Sequence, residues 1–339
     1  MAAKPFAAVL VTLVLALASA GPALAAPGGL GPPASKTPSG EAISQLYWIV
    51  FAICAVVFVL VESALILFIV RFRRRRGTPD DAEGPQIHGN TRLEIIWTAI
   101  PAIILAGIAI FTFTRIPAVQ ARGVENDNPL VVRVDSHQFY WEYVYPNGAM
   151  SFDTLYLPVG RPVELRLNAS DVIHSWWVPE LTGKLDAIPG RENTLRFVPD
   201  STGSFEGKCA ELCGIQHAVM LTQVEVLEAA QYEQTVSQLA RQSAEALGKQ
   251  EWDSVCAKCH GLAGGGDVGP PIAGNATLTN FESLALLLRV EGQDTPQFDS
   301  YMPTVGRGWS DAQINALIAY IKSSKTLSTA PAPATGGGG

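Results

Sequence analysis

Two long apolar segments do most to restrict what this chain can fold into. "LYWIVFAICAVVFVLVESALILFIV" occupies 46–70 and "LEIIWTAIPAIILAGIAIFTFT" occupies 93–114. At ~1.5 Å per residue, a helix of either length crosses a hydrocarbon layer ~30 Å thick, and a helix satisfies its own backbone polar groups there. "RFRRRR" follows the first segment at 71–76. Five arginines in so short a connection predict that it stays on the cytoplasmic side and that everything after 115 lies outside. The expected anchor is a two-helix transmembrane hairpin over 46–115, in contact with lipid in a bacterial cell (inner) membrane. Glu62 lies within the first span and is expected to face protein, because a carboxylate against lipid is costly; the sequence assigns it no role.

The flanking segments and charge fit an exported, membrane-anchored chain. Residues 1–26 have the form of a secretory signal peptide, with Lys4 ahead of an apolar run at 7–19 and "ALA" at 23–25. Residues 27–45 begin Pro/Gly-rich and read as linker. Beyond 115 the chain carries 15 Lys/Arg against 25 Asp/Glu, so this part is −10 while the whole chain is −7. An acidic outer part favours basic protein partners and offers nothing to nucleic acid.

The outer part changes character once. From 116 to 227, short alternating runs such as "LVVRVDSHQFYWEYVYP" and "PVELRLNAS", broken by Gly, Pro, Asn and Asp, predict a β-sandwich or Greek-key barrel. Residues 228–250 are polar and helix-prone and read as a connector. Residues 251–326 read as an all-α module, with Ser310 capping its last helix. Residues 327–339 read as a disordered tail.

Five cysteines remain to be placed. Cys54, inside the first span, is a small hydrophobe. Cys256 and Cys259 belong to "CAKCH", the attachment motif for c-type haem. Two thiols on one helical turn can add to the two haem vinyl groups, and the adjacent His260 then lies beneath the porphyrin as an iron ligand. Met302 is the only methionine of this module and the candidate sixth ligand. Pro270 or Pro271 is expected to pack near His260.

Cys209 and Cys213 belong to "CAELCGIQHAVM" at 209–220, where Cys, Cys, His217 and Met220 are spaced 4, 4 and 3. A disulfide would leave His217 and Met220 unexplained, and zinc gains little from a thioether. A single blue copper uses one cysteine with histidines and a weak axial methionine, which makes Cys209 one thiolate too many. Two thiolates can instead bridge two coppers, each also needing an imidazole and a weak ligand. The second imidazole is His137 or His174, and a backbone carbonyl of the cysteine loop can serve as the remaining weak ligand.

"DVIHSWWVPEL", "KLDAIPGR" and "CAELCGIQHAVM", with the preceding hairpin and the aromatic run "HQFYWEYVY", resemble the dinuclear CuA domain of cytochrome c oxidase subunit II. The appended "CAKCH" module resembles class I cytochromes c, as in the caa-type branch where the two are fused. The resemblance implies a cupredoxin-like fold. It also implies CuA ligands at His174, Cys209, Glu211 (through its carbonyl), Cys213, His217 and Met220. The Glu211 side chain would face a magnesium ion shared with subunit I, and Glu94 would lie at the mouth of a proton channel. Phe139, Tyr140 and Trp141 would lie on the electron path, although the family's run usually opens with tryptophan where this chain has Phe139. The implied partners are subunit I, subunit III and an electron donor on the outer face (a soluble or membrane-bound cytochrome c, or a quinol-oxidising complex). The implied activity is electron transfer for oxygen reduction coupled to proton pumping. A CuA subunit of a nitric oxide reductase and a copper carrier are the alternatives.

Overall fold

The computed structural model describes residues 31–73, 86, 88–120, 128–291, 293–295 and 300–329. The expected signal peptide, Arg74, Arg75 and Arg76, and the residues after 329 lie outside them. The chain divides into two compact units.

The first unit holds two helices, α1 (Pro38–Phe72) and α2 (Thr91–Val119). Both are long and apolar enough to cross a membrane. α1 begins ahead of the apolar run, within the segment that composition assigns to linker. Thr37 Oγ1 accepts the Gly40 amide at 3.0 Å and Pro38 occupies the first helical position, a strong start signal. Hydropathy marks the stretch matched to lipid, not the full helix. α2 starts with a reciprocal cap: Asn90 Oδ1 accepts the Leu93 amide at 3.1 Å, while Glu94 Oε1 accepts the Asn90 amide at 3.2 Å.

The second unit opens with a sandwich of two five-stranded sheets. One runs β3 (Met150–Phe152), β2 (Tyr140–Val144), β1 (Leu130–His137), β5 (Val163–Ala169), β8 (Asn193–Phe197). The other runs β4 (Thr154–Pro158), β10 (Leu221–Leu227), β9 (Gly203–Cys209), β6 (His174–Trp177), β7 (Leu185–Ala187). Alternation drives this: Leu130, Val132 and Val134 of β1 point inward, as do Leu165 and Leu167 of β5. Trp141, Tyr143 and Trp176 fill the middle at 0 % exposure, and each large apolar side chain removed from water contributes about 1.5–3 kcal/mol.

The remainder is helical. The 228–250 segment is more than a connector: it forms α3 (Ala229–Ala240) and α4 (Ala244–Glu251). α4 continues through a wide turn at Trp252–Cys256 into α5 (Ala257–His260), which carries the "KCH" residues. Then come α6 (Phe281–Leu286), a ribbon of β11 (Gln293–Thr295) and β12 (Ser300–Met302), and α7 (Asp311–Ser323). The expected cap at Ser310 is present, completed by Gln313 into a capping box. Leu327, at the start of the expected tail, is instead buried, and its carbonyl accepts the Gly274 amide at 2.8 Å. An apolar side chain with a gap to fill stays with the core.

α4 packs on α7 so closely that a Cβ on Gly248 would lie 1.9 Å from the Ala316 carbonyl oxygen. Backbone cannot yield as a flexible side chain can. Gly248→Ala is therefore expected to destabilise the helical module by about 3 kcal/mol, the upper part of the overpacking range. A thermal melt followed at the helical CD band checks it; an unchanged midpoint would show that the helices separate freely.

Candidate functional site

Strand pairing brings the sulfur and nitrogen donors together. β6 and β9 are neighbours with Trp176 opposite Cys209, so His174 at the start of β6 falls beside the end of β9. The Cys209 amide donates to the Met220 carbonyl at 2.9 Å, closing the loop between β9 and β10 and returning Met220 to the cysteines. Cys209 Sγ lies 3.8 Å from Cys213 Sγ and 4.0 Å from His174 Nδ1. Cys213 Sγ lies 3.6 Å from His217 Nδ1 and 3.8 Å from Met220 Sδ. The Glu211 carbonyl oxygen is 3.2 Å from Cys209 Sγ. Cys209, Cys213, His174 and Met220 are buried. The structure brings all six expected residues to one place.

His137, the other imidazole left open by the sequence, is elsewhere. Its Nδ1 is 2.6 Å from Ser170 Oγ and its ring stacks on Tyr140 at 4.7 Å. Burial pushes it down to about 4, so it stays neutral.

A sulfur-rich set with two imidazoles suits copper better than hard cations. The hydrogen bond between the two sulfurs holds Cys209 well below the usual thiol range and keeps Cys213 above it. One thiolate is thus already favoured. Burial alone would lower His174, but Asp171 and Cys209 outweigh it and raise the imidazole. Asp171 Oδ1 lies 2.8 Å from His174 Nε2, which leaves Nδ1 facing the sulfurs. Sequence reading missed Asp171; its signal was a carboxylate three residues before a candidate ligand. Such partners typically contribute 10–100-fold to metal affinity. Asp171→Ala is expected to weaken copper retention by about that factor, measured by competition with a copper chelator; equal retention would make Asp171 a bystander.

The second centre is an apolar cavity of about 360 Å³ in the helical module. Cys256, Cys259, His260 and Met302 all line it, together with Trp252, Leu284, Leu288 and Leu317. His260 Nδ1 is 2.8 Å from the Pro270 carbonyl oxygen, which chooses Pro270 over Pro271 and leaves Nε2 as the free lone pair. Paired thiols, a free imidazole nitrogen and a thioether around an apolar space fit haem.

The other expected residues have plain surroundings. Phe139, Tyr140 and Trp141 are buried, and Phe139 lines the haem cavity. The Glu211 carboxylate is half-exposed, 3.7 Å from Lys184 Nζ. Glu94 caps α2 as described.

The fold and these sites define a membrane-anchored cupredoxin-like protein with a cytochrome c module. Three family models match in order: cytochrome c oxidase subunit II transmembrane domain over 25–114, its periplasmic domain over 152–227, and cytochrome c over 245–325. The chain is 34% identical over 313 residues to cytochrome c oxidase subunit 2 of Alkalihalophilus pseudofirmus, covering 86% of this chain and 90% of that one. It is 32% identical over 263 residues to the subunit 2 of Bacillus subtilis, covering 69% and 72%. It is 33% identical over 232 residues to that of Synechocystis sp., covering 56% and 69%. The chain belongs to the cytochrome c oxidase subunit 2 family, in a form carrying CuA and cytochrome c domains, and so is a subunit of a haem–copper oxidase.

Proposed function

We propose that this chain relays electrons one at a time: they are accepted at a covalent haem c, pass to a dinuclear CuA centre, and leave for the haem of subunit I. Oxygen reduction to water and proton pumping belong to subunit I. Cys256 and Cys259 would hold the haem, and His260 and Met302 would supply the nitrogen and sulfur donors to its iron. His174, Cys209, Cys213, His217, Met220 and the Glu211 carbonyl hold the copper pair. When bound, the haem supplies a one-electron site and the copper pair spreads one electron over two metals.

The observation that carries this reading is a shared wall. Gln138, Phe139 and Ile215, all from the copper domain, line the haem cavity. Gln138 Nε2 also donates to the Cys213 carbonyl at 2.5 Å. Donor and acceptor sites are thus separated by one layer of side chains. Phe139 is the aromatic on this layer; Trp141 points into the sandwich core, while Tyr140 packs against Trp309 of the helical module.

Leu212, Val219, Leu221 and Ile173 surround the copper loop and are exposed. Such a patch beside the ligands suits docking on subunit I. The Glu211 carboxylate, on the same loop, would share magnesium with it. Subunit III and an outer-face donor complete the complex in a bacterial cell membrane, crossed twice by this chain. Glu94 would stand at the mouth of a proton channel; its cap bond to Asn90 holds the carboxylate at the helix start, where a negative charge is favoured.

Metal and haem analysis of the purified chain, with EPR, tests the reading. Two coppers sharing one unpaired electron and one covalent haem are expected. One copper, or zinc, would defeat it.

A further inference from the structure

Lys258 lies between the two haem-attaching cysteines, where a lysine is ordinarily a solvated surface charge. Here its side chain is only 17 % exposed. Its Nζ donates to Asp153 Oδ2 at 2.6 Å and to the Phe139 carbonyl at 2.9 Å. Both partners belong to the copper domain. Asp153 is itself tied into that domain, since its Oδ1 accepts the Trp141 amide at 3.0 Å. The backbone turn it caps has φ 56°, which Asn and Asp tolerate better than most residues.

The turn at 138–139 is therefore gripped from two sides. Lys258 holds the Phe139 carbonyl from the haem module. From the copper side, Gln138 Nε2 bonds the Cys213 carbonyl, and the Gln138 amide donates to Asp171 Oδ2 at 2.6 Å. Gly214 presses onto the same turn: at φ 134°, an added Cβ would lie 2.8 Å from Gln138 Nε2 and 3.0 Å from the Phe139 ring. Further along the interface, Tyr140 Oη donates to the Val305 carbonyl at 2.6 Å and accepts from Trp309 Nε1 at 2.8 Å. Val305 also lines the haem cavity, so these last contacts brace the same face of the interface.

We propose that Lys258 is a positioning residue for electron transfer: with Asp153 and the Phe139 carbonyl it clamps the haem-attachment turn against the 138–139 turn, keeping the haem cavity and the Cys213 loop in contact. The inference rests on the relay reading above. The step it serves moves one electron from reduced haem, left ferric, to the oxidised copper pair, left one electron more reduced; no bond forms or breaks and no proton moves. Lys258 neither touches the metals nor carries the electron. Removing it frees the haem-attachment turn from the 138–139 turn, while the Tyr140–Trp309, Gln313–Glu142 and Arg307–Ser170 contacts still join the modules.

The test uses the full chain with haem and copper loaded. Lys258→Gln removes the charge. Asp153→Asn removes its partner while keeping the acceptor for the Trp141 amide and a residue suited to positive φ. Each substitution is expected to slow haem-to-copper transfer after flash photoreduction by roughly tenfold or more, as expected for losing one partner of a covered charge pair or shifting reacting groups by about an ångström. The double variant should be no slower than either single one. Haem attachment and the copper EPR signal should not change. Hydrogen exchange at peptides covering 138–144 and 256–261 should rise in both variants, and this readout does not depend on electron flow. Wild-type transfer rates and unchanged exchange would overturn the clamp. Raised exchange in a chain that transfers no electrons even as wild type would uphold the clamp and defeat the relay.

Discussion

Replacing Cys213 with serine is expected to abolish the dinuclear copper signal and lower oxidase turnover by more than about 100-fold, beyond the effect typical of an outer-shell partner. Cys213 is the hub of the donor set: its sulfur lies within 4 Å of the Cys209 sulfur, the His217 nitrogen and the Met220 sulfur. A hydroxyl there is a hard, poorly ionised donor and cannot bridge two soft metals. What remains has a single thiolate, Cys209, and can hold one copper at most. The fold should survive, because Cys213 sits on a loop and the sandwich is filled by Trp141, Tyr143 and Trp176. Copper count, EPR and a thermal melt separate the outcomes. An intact two-copper signal in Cys213→Ser would refute the bridging assignment.

Replacing both Cys256 and Cys259 with alanine is expected to unfold the helical module while sparing the sandwich. Burial pushes the Cys256 thiol up to about 12, a sign of how apolar its side of the cavity is. Left unfilled, about 360 Å³ of cavity costs on the order of 9 kcal/mol at the measured dependence on cavity volume. Whole domains are stable by only about 5–15 kcal/mol. On the proposed reading the haem would be part of the core, and its loss would leave too little to hold α4 and α7 together. Haem staining on a denaturing gel should disappear, part of the helical CD signal should go, and protease should cut between α3 and α4. A variant that keeps its full helical signal without haem would show that the cavity collapses onto itself.

The chemistry was legible where residue type and spacing do the work. Two thiols, an imidazole and a thioether within "CAELCGIQHAVM" leave few metals to choose from, and five histidines make the second imidazole nearly a matter of elimination. Composition could not separate His137 from His174; strand register did, by setting Trp176 opposite Cys209. Gln138 and Lys258 were not legible, because each is an ordinary polar residue until the fold supplies its partner, and Asp171 left only its place three residues before His174 as a sign. Boundaries moved for local reasons. Thr37 and Pro38 start α1 ahead of its apolar run, α4 joins the haem module through Gly248, and Leu327 is retained by the core.

The relay is tested most directly by injecting one electron into the fully oxidised complex and following both centres in time. The account predicts that the haem c band reduces first, that it reoxidises as the copper pair is reduced, and that the haem of subunit I follows. Reduction of the copper pair at the same rate in a chain whose haem module has been disabled, with no lag in the intact one, would contradict it.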